Sequence, residues 1–95
     1  MTYRTDPQLE ASLDLFMKWV RNYHHAFMLT KIYSANLVSY IEANDKFASR
    51  HLRIRNASTG SLHGIVLNRL KVLKKRGMVS HVKIGLWELL GDWYK

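Results

Sequence analysis

Apolar residues recur at spacings of 4, 3, 4, 3 and 4 from Leu9 through Leu13, Phe16, Val20 and Tyr23 to Phe27. That is the rhythm of one face of an α-helix, and it predicts a first helix of about 20 residues. Thr5-Asp6-Pro7-Gln8 supplies its opening: a capping residue, Pro near the first turn, and Gln completing a capping box. Leu15 and Trp19 lie off one edge of the stripe, and Glu10, Asp14, Lys18 and His25 take the far side. The helix carries more apolar surface than one small domain needs. Two readings follow: core packing alone, or core packing together with a homodimer seam.

The second half has shorter periods. Ile32 and Tyr33 favour extended backbone, so residues 30–33 read as a connector or short edge strand. Ser34 is expected to cap a second helix, ending near Asn44, with Leu37, Val38 and Ile41 inward. Asp45 is expected to cap a short third helix from Lys46, with Ala48 and Leu52 on one face, and Arg55 to Ser58 form a turn. Ser58 or Thr59 then caps a fourth helix over 59–76, whose buried stripe is Leu62, Ile65, Val66, Leu70 and Leu73. His63, Gly64, Leu67, Asn68, Lys71, Lys74 and Lys75 project the other way. Gly77 stops the helix. Residues 78–81 and 86–89 read as two strands joined through Lys83-Ile84-Gly85. The fold class is therefore mainly α with a small β-hairpin, preceded by a long N-terminal helix.

Composition supports a folded core: 95 residues, 47% hydrophobic, eleven aromatics and one proline. With no cysteine, disulfides and thiolate metal sites are excluded. The sequence has no signal-peptide pattern and no run of the roughly 20 apolar residues a bilayer requires, so a soluble cytoplasmic protein is expected, nucleoid-associated in a cell or in the host cytoplasm if viral. Charge changes the picture more. Of the net +8, ten Lys and Arg fall between Asp45 and Glu88, a span of 42 residues without one acid. They are Lys46, Arg50, Arg53, Arg55, Arg69, Lys71, Lys74, Lys75, Arg76 and Lys83. A surface of one sign is what a polyanion selects.

Residues 37–89 resemble the winged-helix class of DNA-binding domains, similar to MarR-type small transcriptional regulators. The resemblance rests on Ser58-Thr59-Gly60-Ser61-Leu62 opening the recognition helix, on Leu70, Leu73 and Gly77-Met78-Val79 at its end, and on Trp87-Glu88-Leu89 in the last strand. It covers a little over half of the chain and describes a fold more than one family; the wing is unusually short. Residues 1–33 fall outside the resemblance and are expected to be an N-terminal helix and connector for dimerisation, an addition common in dimeric members, with 34–95 the winged helix-turn-helix. The resemblance implies that the fourth helix enters the major groove, with Thr59, Ser61, His63, Gly64, Asn68 and Lys71 nearest the base edges. Asn pairs bidentately with adenine, Lys donates to guanine, and Ser or Thr serves base or phosphate. Arg50, Arg53, Arg55, Lys74, Lys75 and Lys83 are candidates for phosphates. Leu9, Leu13, Leu15, Phe16, Trp19, Val20 and Tyr23 are candidates for a dimer seam that sets two recognition helices one DNA turn apart.

Other chemistry finds little support. His24 and His25 are adjacent, so on a helix their side chains point about 100° apart and cannot share one metal ion. His51, His63 and His81 fall on separate elements. No Gly-x-Ser-x-Gly, phosphate-binding loop or paired catalytic carboxylates occur. The expectation is a non-enzymatic protein without cofactor or metal, bound to double-stranded DNA and regulating transcription as a homodimer. The alternative is an adaptor whose basic face meets an acidic protein, with Leu67 or the N-terminal helix as its apolar contact.

Overall fold

The periodic stripe from Leu13 to Tyr23 becomes one side of a 21-residue helix, α1 (Pro7–Phe27), in the computed structural model of the chain. The structure describes residues 7–52 and 61–95, without the side chains of residues 7–9. The candidate cap Thr5-Asp6, the Leu9 side chain and the turn at 53–60 lie outside the described residues. After α1 come β1 (Lys31–Tyr33), α2 (Ser34–Asn44), α3 (Ala48–His51), α4 (Leu62–Lys75), β2 (Val79–Lys83) and β3 (Leu86–Leu89). The fold is mainly helical with a small antiparallel sheet of three strands in the order β1-β3-β2. The connector strand thus joins the hairpin, with Ile32 opposite Trp87 on one side of β3 and Val79 opposite Leu89 on the other.

One apolar core unites these elements. Leu13, Phe16, Val20 and Tyr23 of α1 meet Leu37, Val38 and Ile41 of α2, Ala48 and Leu52 around α3, and the whole expected stripe of α4. Ile32, Val79, Trp87 and Leu89 close it from the sheet. The described part of residues 1–33 therefore shares a core with the rest, and the expected boundary at 33/34 falls at the junction of β1 and α2. Phe27 departs from the expectation. It is 52% exposed, and its ring rests on Tyr23 and Tyr40.

The helix ends differ from the expected caps. Ser34 is the first residue of α2, not its cap; Tyr33 holds the cap position, without a side-chain bond. The strand runs straight into the helix, and the Ser34 N–H donates to the Gly85 carbonyl at 2.8 Å. The described α4 begins at Leu62, and Ser61 is its cap, accepting from the Gly64 N–H at 3.4 Å. Ser58 and Thr59 lie outside the described residues. Asp45 does not cap a helix from Lys46: its carboxylate accepts from the Phe47 N–H at 2.9 Å, and α3 starts only at Ala48. At the other end of α4, Gly77 takes φ +73 as expected. The Met78 N–H then reaches the Leu73 carbonyl and the Gly77 N–H the Lys74 carbonyl, a Schellman closure. The hairpin strand β2 runs longer than expected, to Lys83, with a bulge between His81 and Lys83.

Candidate nucleic-acid interface

Because Leu62, Ile65, Val66, Leu70 and Leu73 of α4 are all buried, the opposite side of the helix is left to solvent. Ser61, His63, Gly64, Asn68, Lys71, Lys74 and Lys75 are all exposed there. Thr59, the remaining base-reading candidate, lies outside the described residues. Among the described residues, nothing beyond the helix's own backbone and Gly64's chain neighbours stands within 4 Å of where a Gly64 side chain would begin, so this stretch of the helix is open to a partner. Leu67 is half-buried rather than free, packed against the edge of the core.

Beside this face stands the β2–β3 hairpin, and between them runs a groove of about 580 Å³. His63, Leu67, Lys71, Lys74 and Lys75 line its helical wall, and His81, Ile84, Gly85 and Trp87 its hairpin wall, with Ser34 at the margin. His81 and Trp87 are cross-strand partners, stacked at 4.2 Å between centroids with planes 18° apart. Periodicity marks the lysines but not this groove. Trp87 carries only a strand signal, and burial along β3 does not alternate, since Leu86, Trp87 and Leu89 are all buried.

Charge is distributed less simply than the run of ten cations suggests. Arg69 is 3% exposed. Its Nε–H donates to the Ser12 hydroxyl at 3.0 Å, and that hydroxyl donates to the Leu52 carbonyl at 2.6 Å. Burial pushes the guanidinium below its ordinary pKa, and the group ties α1, α3 and α4 together instead of facing a partner. Arg76 donates to Glu10 through both terminal guanidinium nitrogens, Nη1 at 3.4 Å from Oε2 and Nη2 to Oε1. This hydrogen bonding holds the Glu10 carboxyl below the usual carboxylate range despite some desolvation. The basic segment is therefore partly neutralised, by an acid from α1 that lies far away in sequence.

Besides the paired Arg76, six described cations of the segment are exposed: Lys46, Arg50, Lys71, Lys74, Lys75 and Lys83. None of them forms an ion pair among the described residues. Three share the α4 wall, and Lys83 ends β2. Arg50 sits apart on α3, with its guanidinium 5.5 Å over the Phe47 ring. Arg53 and Arg55 lie outside the described residues. Near the start of α4 a second hollow, lined by Glu42, Asp45, Lys46 and Ser61, brings acids close to that end. Asp45 is held in its ionised form: His51 Nδ1 lies 2.8 Å from its carboxylate and the Phe47 N–H also binds it, and together these hold its pKa below the ordinary value.

The dimer candidates separate into two groups. Leu13, Phe16, Val20 and Tyr23 are buried in the protomer's own core and have no surface left for a partner. Leu15 and Trp19 remain half-buried at the core's edge. Trp19 meets Tyr40 edge-on at 6.2 Å. Among the described residues no three His, Cys, Asp or Glu form a metal-holding group, and no helix is long and apolar enough to cross a membrane. His24 has a local partner, with Nδ1 3.0 Å from the Leu29 carbonyl oxygen. No family model, curated protein or solved structure matches the chain.

Proposed function

We propose that the protein binds double-stranded DNA as a winged-helix regulator of transcription, laying α4 in the major groove. The observation that carries this reading is the outer face of α4, where Lys71, Lys74 and Lys75 stand without an ion pair among the described residues, beside exposed Ser61, His63 and Asn68. A helix with one buried face and one polar, cationic face suits a groove lined by acceptors and phosphates. The order of elements also supports it: a helical pair ends in α4, and a hairpin follows immediately. Leu15 and Trp19 are the residues through which two copies would associate, doubling the contact on a two-fold site.

In this arrangement Asn68 and His63 discriminate among bases, while Lys75 and Lys83 position the backbone. Asn68→Ala should therefore reduce the preference for a selected duplex over random duplex, and Lys75→Ala should weaken both alike. Equal losses on both DNAs for both variants would refute base reading by α4. The adaptor alternative draws on the apolar hairpin, where Val82 and Ile84 are exposed beside the lysines. Under it, an acidic protein is bound and duplex DNA is ignored even at low salt.

A further inference from the structure

The groove between α4 and the hairpin pairs a cationic wall with an apolar floor. Leu67, Ile84 and Trp87 provide the floor, and Lys71, Lys74 and Lys75 gather toward the C-terminal end of the helix. Among the described residues, no carboxylate lines it. Phosphates would use the lysines but gain nothing from the floor, and Ile84 at the hairpin tip stays 94% exposed. The volume, about 580 Å³, lies within the range of small-molecule sites. From His63 to Lys75 the helical wall extends about 18 Å, so the site is long rather than round.

We propose that this groove binds a free medium-chain fatty carboxylate, with its tail along Leu67, Ile84 and Trp87 and its head among Lys71, Lys74 and Lys75. Charge complementarity selects an anion, and the single charged end selects one head group. A peptide fits less well, because its N–H and C=O groups would meet only Ser34, two histidines and the lysines along an otherwise apolar trough. The ligand would lie against the wall on which Lys71, Lys74 and Lys75 await DNA, so ligand and duplex would exclude each other. That consequence rests on the DNA reading; the binding itself does not.

The test is a titration of the full chain with decanoate below its micellar range, followed by amide NMR in the absence of DNA. The expected result is saturable one-to-one binding, with shifts concentrated in residues 63–75 and 81–87. Decyltrimethylammonium, with the same tail and the opposite charge, should bind at least about ten-fold more weakly. Ile84→Asp, at an exposed tip, and Lys74→Glu combined with Lys75→Glu should each cost about ten-fold or more with unchanged circular dichroism. Failure to saturate, equal binding of the cationic detergent, shifts confined to the Trp19–Tyr40 side, or variants that bind like the wild type would each overturn the assignment. Adding labelled duplex separates the two readings. Decanoate binding without duplex binding removes the DNA reading alone, and duplex binding without decanoate binding removes the groove assignment alone.

Discussion

Helices α1 and α4 are both long and amphipathic, yet they dispose of their surfaces in opposite ways. The apolar stripe of α1 goes into the core from Leu13 to Tyr23, and two polar residues of the helix reach α4: Glu10 pairs with Arg76, and the Ser12 hydroxyl accepts from Arg69. The apolar stripe of α4 goes into the same core, but three of its lysines are left without a counter-charge among the described residues. An apolar stripe alone therefore reports packing. What distinguishes a candidate interface is the charge that the fold leaves unanswered.

The comparison breaks most directly at Phe16. If α1 is core, Phe16→Ala should cost about 3–5 kcal/mol, a large share of the stability of a small domain. Urea denaturation would measure it, and a loss below about 1 kcal/mol would mean that the stripe is not packed in the protomer. Next in size is Ser12→Ala, which leaves the buried Arg69 Nε–H without its acceptor and should cost about 2 kcal/mol. Leu15→Glu with Trp19→Glu should instead leave a folded chain that sediments as a monomer and binds DNA much more weakly. A wild type that is itself monomeric at micromolar concentration would remove the dimer from the account.

Smaller effects sharpen the contrast. The Glu10 carboxyl is depressed in the folded protein, so the stability it contributes is present above the ordinary carboxylate range, around pH 4, and is lost as pH falls through its lower folded value. Glu10→Gln should remove that part of the acid sensitivity and free Arg76, raising affinity for DNA a little; an unchanged acid profile would show that the pair has no thermodynamic weight. Met28, at φ +56 just after α1, holds a conformation that suits glycine. Met28→Gly should raise stability by about 1 kcal/mol, read as a higher melting temperature.

Much of this architecture is legible from periodicity. The stripe of α4, the inward residues of α2, the stop at Gly77 and the hairpin all follow from local pattern, because burial repeats with the helix or strand period. The fate of individual charges does not. Arg69 sits at a helical position that only the neighbouring Ser12 and Leu52 carbonyl make habitable, and Arg76 finds its acid 66 residues away. Ser34 carries a cap signal, and no local pattern reveals that the Gly85 carbonyl will meet its N–H. The groove beside α4 was hidden for the same reason, since it is made by Leu67 and Trp87 coming together across the fold.

The central claim is that the unanswered charge of α4 serves duplex DNA, and the salt dependence of binding tests it most directly. Fluorescence anisotropy of a labelled duplex across a salt series should give a log–log slope of about −4 or steeper for a dimer on one site, each neutralised phosphate contributing about −0.9. Lys75→Ala should flatten the slope by about one unit per protomer. Absence of binding at low salt, or binding that ignores salt, would contradict the account.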